Sequence, residues 1–260
     1  MTACCAAGSA HAEETAQPSS FAALRRWSGS SALTLPQGRV ELGLLAASRY
    51  GLSDRVELAV HPIWFFALPH AEAKFRYFEL PRLALAARAR LSYPSIFLGL
   101  VAREGSGGLL PETSEPPVAL LLEADAIVTG EVHPGALASL SLGFAVAPHA
   151  SFTEAELPLL DFPFLYPRFA ALYSPIVPRA QVNLESALFL GFHLDLEFRG
   201  YVMPALPYVG TTLALEQALS LEYRFGERAA VSLGARLGEA EYPVGPRVHA
   251  LPYADVRVGF

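Results

Sequence analysis

Catalytic chemistry has one candidate pair in this 260-residue sequence, His149 and Ser151. Residues i and i+2 of a β-strand share one face, so this imidazole could take the hydroxyl proton as a general base. An orienting amide would have to come from Asn183, the single asparagine of the chain. Because Pro148 flanks the pair and Asn183 belongs to a different segment, an ordinary loop His and Ser is the preferred interpretation.

Another histidine, His193, is the candidate metal ligand. It shares one stretch with three carboxylates, Glu185, Asp195 and Glu197. A hydrogen-bonded histidine in a polar wall is a commoner arrangement than a metal site of this composition. The sequence also contains no glycine-rich phosphate loop, no Cys or His metal cluster and no nucleophile elbow. We therefore predict a non-enzymatic protein with no catalytic residue, no metal and no cofactor.

The element that positions Asn183 and His193 is the stretch from Gln181 to Arg199. Its even positions from Val182 to Phe198 carry no charge, whereas its odd positions include most of the charged and amide side chains. A period of two indicates an extended backbone with one apolar and one polar face. Since a transmembrane β-strand needs about 9 to 11 residues, we predict that this nineteen-residue stretch is one long strand of a membrane barrel.

The same alternation recurs along most of the chain after Gly38. It predicts ten further strands, at 38–46, 56–61, 72–78, 83–93, 118–129, 139–146, 168–177, 213–224, 231–237 and 248–260. Short connections at 48–54, 79–82, 130–135, 178–181 and 226–228 alternate with longer ones, as they do between the two rims of an outer-membrane barrel. Because bacterial single-chain barrels have even strand numbers, we predict twelve strands, with Phe21 to Pro36 as the twelfth, and ten as the alternative.

Composition agrees with an all-β, antiparallel, up-and-down transmembrane β-barrel. Hydrophobic residues make up 52% and the mean hydropathy is +0.33, yet no apolar run reaches the ~18 residues of a spanning helix. The net charge is -6 and there is no basic cluster, which argues against a nucleic-acid partner. Lys74 is the only lysine among 19 basic residues, which is unusual for a water-facing surface.

The N-terminal region divides into two predicted segments. Residues 1–12 contain both cysteines, Cys4 and Cys5, and end in Ala10-His11-Ala12, the small-x-small pattern of a signal-peptidase site. We interpret them as the remnant of a secretory signal peptide, with a lipid-attachment box at Met1 to Cys4 as the alternative. Residues 13–37 would form a tether or a first strand, and residues 38–260 the barrel.

The last strand ends in Phe260, with alternating apolar residues behind it. This ending resembles the C-terminal strand of bacterial outer-membrane β-barrel proteins, a signature that the barrel assembly machinery reads. The resemblance implies a Gram-negative outer-membrane location, with the assembly machinery and outer-membrane lipid as partners. The His149-x-Ser151 pair is similar to that of outer-membrane phospholipases, twelve-stranded barrels that use His, Ser and Asn, and this implies a lipid hydrolase as a minor alternative.

The polar faces of the predicted strands would bring charges of both signs into one lumen, where they should pair. The predicted lumen-lining residues are Arg88, Arg90, Glu123, Asp125, Glu185, His193, Asp195, Glu197, Glu216, Glu222, Arg224, Arg236 and Arg257. Such residues either close the lumen with salt bridges or line a narrow wet path, and the sequence leaves both open.

The functional prediction is a narrow, porin-like channel or transporter, or a structural pore protein. A soluble periplasmic lipocalin-like barrel that binds an apolar ligand is an alternative, because alternation alone does not reveal which face meets the core. The transported solute and the oligomeric state are not encoded in any pattern found in the sequence.

Overall fold

The computed structural model describes residues 27, 29–101, 118–148, 166–172, 174–203, 212–242 and 245–260. Twelve antiparallel strands close into one barrel, with β1 hydrogen-bonded to β12. The strands are β1 (Val40–Gly43), β2 (Ser48–Ser53), β3 (Val56–Val60), β4 (His70–Leu80), β5 (Leu83–Ser92), β6 (Leu121–His133), β7 (Ala136–Val146), β8 (Val177–Ala187), β9 (Phe192–Met203), β10 (Thr212–Phe225), β11 (Ala229–Tyr242) and β12 (Gly245–Gly259). The predicted fold class and strand number are confirmed.

The apolar face of each strand points outward. Leu140, Leu142 and Phe144 of β7 are 41 to 54% exposed, whereas Ser139 and Ser141 between them are buried. The other long strands repeat this arrangement, so the exterior is apolar and the interior polar. A lipocalin-like barrel would show the reverse. In the part of the chain that the structure describes, no helix is long and apolar enough to cross a membrane.

The prediction of one strand from Gln181 to Arg199 is wrong. Residues 188–191 form a turn between β8 and β9, in which Leu190 (φ 49°) and Gly191 (φ 85°) adopt left-handed conformations. In this hairpin Ser186 pairs with Leu194 and Leu184 with Leu196. Even-numbered residues of β8 therefore pair with even-numbered residues of β9. Apolar residues keep even numbers on both sides of the turn, so the alternation in the sequence is not interrupted there.

Four other sequence-based assignments are corrected. Residues 168–177 are not a strand, because helix Tyr166–Phe169 and the 3-10 turn Ala170–Leu172 occupy the first half of the range. Residues 48–53, predicted as a turn, form β2, and the connection at 178–181 lies inside β8. The described part of Phe21 to Pro36 contains no strand. The number twelve and most of the predicted strands are therefore correct, although these assignments are not.

The two rims differ as expected. Short turns join β2 to β3, β4 to β5, β6 to β7, β8 to β9 and β10 to β11 at one rim, while the long connections 93–120 and 147–176 lie at the other. Aromatic rings form a contact chain at the short-turn rim, with 5.6 Å between the centroids of Phe189 and Phe192 and 4.8 Å between those of Phe192 and Tyr223. Rings at this position match the aromatic girdle of membrane barrels. Trp64, Phe65 and Phe66 form an exposed 3-10 turn between β3 and β4.

Candidate functional site: the charged lumen

The predicted lumen-lining residues lie on the inner faces of β5 to β12. Their position follows from strand register: Arg88 is paired with Asp125 and Arg90 with Glu123 across β5 and β6, and Glu216 with Arg199 across β9 and β10. Glu123, Asp125, Glu216 and Glu222 are buried. Whether any of these residues contributes to conduction stays a prediction.

Asp125 is the centre of the first group of ion pairs. Its Oδ2 accepts a hydrogen bond from Arg88 Nε at 2.9 Å, and its Oδ1 accepts one from Arg179 Nε at 2.8 Å. Arg179 also donates to Glu123, and Arg90 donates to Glu72 through Nε and Nη2 at 3.0 and 2.7 Å. Guanidinium groups suit this arrangement because each presents several donors in one plane.

Gly143 makes room for this group. A Cβ atom at Gly143 would lie 2.2 Å from Asp125 Oδ1 and 2.2 Å from the carbonyl oxygen of Ala124. A side chain there would displace the carboxylate that both arginines share. Glycine is therefore required at this position both by the Asp125 carboxylate and by the close approach of the β6 backbone.

A second group lies across β1 to β4. Lys74 Nζ is 3.1 Å from Glu57 Oε1 and Arg49 is 3.7 Å from both Glu57 and Glu41. Arg257 of β12 donates to Glu41 at 3.0 Å and thus joins this group to the third. In the third group Arg257 and Arg224 both contact Glu222, and Arg224 Nη2 is 2.6 Å from Glu185.

Further polar contacts lie on the inner faces of β8 and β9. Arg199 Nη2 is 3.1 Å from Glu197, and Asn183 Nδ2 donates to Asp195 at 2.8 Å. His193 Nδ1 lies 4.0 Å from Glu185 and has no hydrogen-bond partner in the described structure. We call these ion pairs together the ion-pair belt: it consists of Glu41, Arg49, Glu57, Glu72, Lys74, Arg88, Arg90, Glu123, Asp125, Arg179, Glu185, Glu197, Arg199, Glu222, Arg224 and Arg257.

Sequence reasoning missed several members of the belt. Arg179 was assigned to a turn, so its direction was not considered. Glu72 and Lys74 lie in a strand whose alternation is interrupted by a register shift between Arg76 and Phe78. This β-bulge changes which residue numbers point inward, so the alternation in the sequence does not reveal the inward face of β4. Arg49 lies in β2, which was not recognised as a strand.

One end of the lumen holds the N-terminal plug, residues 29–36. Ala32 to Leu35 are completely buried. The backbone N–H of Ala32 donates to Thr129 Oγ1 at 2.7 Å, and that of Leu35 donates to Glu57 Oε2 at 2.9 Å. Lys74 Nζ donates to the carbonyl oxygen of Ser31 at 3.3 Å. The plug is therefore fastened to wall residues and to the belt, near the short-turn rim.

Trp27 extends the contacts of this segment toward the strand termini. Its ring lies 5.1 Å from the guanidinium carbon of Arg257 and 5.5 Å from that of Arg39. Gly51 of β2 faces the plug, where a Cβ would lie 2.1 Å from the carbonyl oxygen of Pro36. Glycine is thus needed at this position for the plug to reach the wall.

The opposite end holds the cap, which consists of helix Ser95–Val101 and residues 166–172. Its buried side chains pack on the inner faces of the strands near the rim with the long connections. The resulting cluster comprises Phe97, Leu98, Val101, Ala119, Leu121, Ala145, Phe169, Ala170, Ala171, Leu172, Val177, Tyr201, Met203, Ala214 and Ala240. The Phe97 and Phe169 ring centroids are 5.8 Å apart. An apolar cover therefore lies over the polar lumen.

Arg168 is the polar anchor of the cap. Both of its Nη atoms donate to the Glu216 carboxylate of β10. Burial of the guanidinium lowers its pKa, but the Glu216 carboxylate outweighs this effect, and the pKa of Arg168 lies above its ordinary value. The cap is thus attached to Glu216, one of the predicted lumen-lining residues.

Between plug and cap the belt encloses a small polar cavity of about 30 Å³. Arg88, Arg90, Asp125, Ser141, Arg179, Gln181 and Arg199 line it. Its volume suits water rather than a larger solute. His149 and Ser151 lie outside the described residues, and among the described residues no group of three or more His, Cys, Asp or Glu side chains forms a metal site.

Comparison with known proteins identifies the fold. No family model matches the chain, and no curated protein matches its sequence. The COG4313 outer membrane channel from Pseudomonas putida F1 is similar with a TM-score of 0.54 and 10% identity, over 89% of this chain and 98% of that one.

Two larger barrels are also similar. OmpTdeltaL8, an outer membrane protein of Vibrio cholerae, matches with a TM-score of 0.42 and 12% identity over 85% of this chain. OccAB4 of Acinetobacter baumannii matches with 0.42 and 9% over 85%. The chain spans 62% and 51% of their lengths. Its fold and apolar exterior are those of a bacterial outer-membrane β-barrel protein, as predicted.

Proposed function

We propose that this outer-membrane β-barrel protein is a non-enzymatic channel for small solutes, with a path along the ion-pair belt that the plug and the cap close. The observation that carries the proposal is the lumen itself, which is lined by buried charged residues where a purely structural barrel would gain more from apolar packing. The similar barrel of Pseudomonas putida F1 is described as a channel, which supports the proposal without deciding it.

The cap offers the sharpest test, because the ion pair between Arg168 and Glu216 joins it to β10. Replacing Glu216 with alanine removes the carboxylate that both Nη atoms of Arg168 contact, so the cap should be held less firmly. We expect Glu216→Ala to raise single-channel conductance in planar lipid bilayers above that of the unmodified protein. Glu239→Ala is the matched control, because Glu239 lies on the outer face of β11 and is exposed.

A substitution in the belt tests the path. Arg88 lines the cavity and pairs with Asp125. Arg88→Ala should change the selectivity between anions and cations, since it leaves the carboxylate of Asp125 less compensated. The channel proposal is abandoned if the unmodified protein, Arg88→Ala and Glu216→Ala all give zero conductance while remaining folded by heat-modifiable migration on gels.

A second candidate is a structural or interaction barrel with a permanently filled lumen. The plug favours it, because Ala32 to Leu35 are fully buried and hydrogen-bonded to the wall. This candidate predicts zero conductance in every variant, with function residing in the connections 94–117 and 148–167, which lie mostly outside the described residues. The conductance measurements above separate the two candidates.

Partners and assembly remain part of the proposal. Phe260 ends β12 and exchanges two backbone hydrogen bonds with Val40, at 3.1 and 2.9 Å. Its side chain is 71% exposed and thus available to the barrel assembly machinery and to lipid. Phe260→Ala should slow insertion of the protein into outer membranes. A lipid hydrolase would require Ser151, and loss of lipid hydrolysis in Ser151→Ala would establish it.

A further inference from the structure

The first three strands are too short to form the whole wall of the barrel. β1, β2 and β3 contain 4, 6 and 5 residues, whereas β4 to β12 contain 10 to 15. A strand needs about 9 to 11 residues to cross the hydrocarbon layer at the usual tilt. β1 to β3 therefore cover only part of this thickness, and other segments must complete the wall toward the rim with the long connections.

Two connections occupy this place, residues 44–47 between β1 and β2 and residues 61–69 between β3 and β4. We call them together the turn wall. His61 Nε2 lies 2.6 Å from the carbonyl oxygen of Leu45, and this contact joins the two connections. On the inner side, Ala67 and Leu68 pack against the buried cluster of the cap. The turn wall therefore lies between the cap and the exterior of the barrel.

The depth of the turn wall follows from its contacts with β12. The N–H of Leu44 donates to the Val256 carbonyl at 3.0 Å, and the N–H of Leu45 donates to Asp255 Oδ1 at 2.6 Å. From this level β12 continues through residues 245–254 toward the rim with the long connections. The turn wall thus lies within the height of the barrel and not on top of it.

The outer side of the turn wall is apolar. Leu44 directly follows the outward residue Leu42 by one strand period, and His61 directly follows Val60, the outward residue that ends β3. The patch is therefore continuous with the apolar exterior of the barrel. It consists of six side chains that are 43 to 83% exposed, Leu44, Leu45, Ile63, Trp64, Phe65 and Phe66. A contiguous exposed apolar patch marks an interaction surface.

Backbone groups of the turn wall find partners inside the protein. The N–H groups of Ala67 and Leu68 donate to the Trp64 carbonyl at 3.1 and 2.6 Å. Pro62 and Pro69 have no N–H that would need an acceptor. Such internal satisfaction is required of a non-strand segment that faces hydrocarbon, because no water is present there.

Two histidine rings take the place of a strand partner. His61 Nδ1 accepts the N–H of Trp64 at 3.2 Å, so its Nε2 carries the proton and donates to the Leu45 carbonyl. His70 Nε2 accepts the N–H of His61 at 3.1 Å, and its Nδ1 donates to the Leu68 carbonyl at 2.9 Å. Each ring thus supplies one acceptor and one donor to the backbone of the turn wall.

We propose that the turn wall is a non-strand part of the membrane wall, that its apolar patch contacts the acyl chains of outer-membrane lipid, and that His61 and His70 are positioning residues for this surface. Lipid is the occupant because the patch continues the apolar exterior and lies below the end of β12. The internal hydrogen bonds of the segment allow this contact without water. The inference goes beyond the proposed channel function and does not depend on it.

Tryptophan fluorescence tests the contact with lipid, because Trp27 and Trp64 are the two tryptophans of the chain. Trp27→Phe leaves Trp64 as the single fluorophore, in vesicles of phosphatidylcholine brominated on one acyl chain. Trp64→Phe leaves Trp27, which is 3% exposed, and gives the signal without lipid access. Leu142→Trp in protein that lacks both tryptophans gives the signal of full lipid access, since Leu142 lies on the outer face of β7.

We expect brominated lipid to quench Trp64 as strongly as the tryptophan at position 142 and to leave Trp27 nearly unchanged. Acrylamide, a quencher dissolved in water, should have little effect on Trp64. Quenching of Trp64 by acrylamide but not by brominated lipid overturns the proposal, because the turn would then face water. Quenching by neither also overturns it, because protein, such as a second copy of this chain, would then cover the patch.

The positioning role of His61 is tested in the Trp27→Phe protein. His61→Ala removes the acceptor of the Trp64 N–H and the donor to the Leu45 carbonyl, so quenching of Trp64 by brominated lipid should fall and quenching by acrylamide should rise. His61→Gln offers both an acceptor and a donor and should preserve the original values. His133→Ala is the matched control, because His133 is exposed in β6 at the opposite rim.

All variants are first checked for folded barrel by heat-modifiable migration on gels. Unchanged quenching in folded His61→Ala, or equal changes in His61→Ala and His61→Gln, overturns the positioning role. Neither experiment measures conductance, so failure of the lipid contact and failure of the channel proposal are distinguishable.

Discussion

The sector from β4 to β12 and the sector from β1 to β3 satisfy their backbone hydrogen-bonding groups in different ways. In the first, strands of 10 to 15 residues satisfy their backbone groups by pairing along nearly their whole length. In the second, strands of 4 to 6 residues leave part of a neighbouring edge without a strand partner. Unpaired backbone groups are costly in hydrocarbon. The short sector therefore depends on a side-chain carboxylate that accepts backbone N–H groups and on proline, which has no backbone N–H to satisfy.

This difference indicates where the fold tolerates change. In the tall sector, the wall is uniform and the sensitive positions are buried charges and the lipid-facing surface. In the short sector, the sensitive positions are the few residues that replace strand pairing, above all Asp255. Substitutions in both sectors, taken in order of expected effect, test this division.

The largest effect is expected at Asp125 in the tall sector. Asp125→Ala removes the carboxylate shared by Arg88 and Arg179, and loss of one partner of a buried ion pair costs about 3 to 5 kcal/mol. The free energy of unfolding, measured by urea titration in lipid vesicles, should fall by this amount. Arg82→Ala is the control, because Arg82 is 78% exposed and 3.9 Å from Glu131, and such pairs contribute about 0 to 1 kcal/mol. Equal effects of the two substitutions would contradict the importance of the belt.

The next effect concerns the lipid-facing surface of the tall sector. Leu219 lies on the outer face of β10 and is 49% exposed. An arginine near the bilayer midplane costs about 2 to 4 kcal/mol, so Leu219→Arg should lower the free energy of unfolding accordingly. Leu190→Arg makes the same change in the β8–β9 turn, where the side chain is 83% exposed, and should have little effect. A neutral result for Leu219→Arg would argue against contact with lipid there.

A smaller effect is expected at Asp255 in the short sector. Asp255→Ala leaves the N–H groups of Leu45 and Ala46 without their acceptor, at about 1 to 3 kcal/mol for a buried unsatisfied group. Asp255→Asn retains one amide oxygen and should lose less. The urea midpoints of the two variants provide the measurement. If they coincide with that of the unmodified protein, strand pairing in this sector does not rely on Asp255.

The smallest effect is expected at Pro252. Pro252→Ala restores an N–H on the side of β12 that faces β1, where the described strand pairing ends near Val256, and the free energy of unfolding should change by no more than about 1 kcal/mol. Ala235→Pro places the same ring at the paired position on β11, where both neighbours are strands, and should destabilise more strongly because a ladder hydrogen bond is lost. Equal losses for the two exchanges would mean that the β12 edge is not free.

Much of the inner surface could be predicted from the sequence. Side-chain direction in a strand depends on the parity of the residue, so Glu123 and Asp125 were assigned to the lumen from their neighbours alone. The same reasoning failed for Glu72 and Lys74, because the bulge at Arg76 to Phe78 shifts the parity of β4. It also failed to recognise the turn at 188–191. Even-numbered residues pair with even-numbered residues across this hairpin, so the alternation of apolar and polar residues continues through the turn.

The sequence by itself determined that the strands have one apolar and one charged face, because side-chain alternation is a local property of an extended backbone. Only the tertiary structure decided which charges pair, that residues 29–36 and 166–172 fill the lumen, and that β1 to β3 are too short to complete the wall. These features depend on register between strands and on contacts between residues far apart in the chain, such as Leu45 with Asp255 and Ala32 with Thr129. Nothing in the alternation of nearby residues encodes such distances.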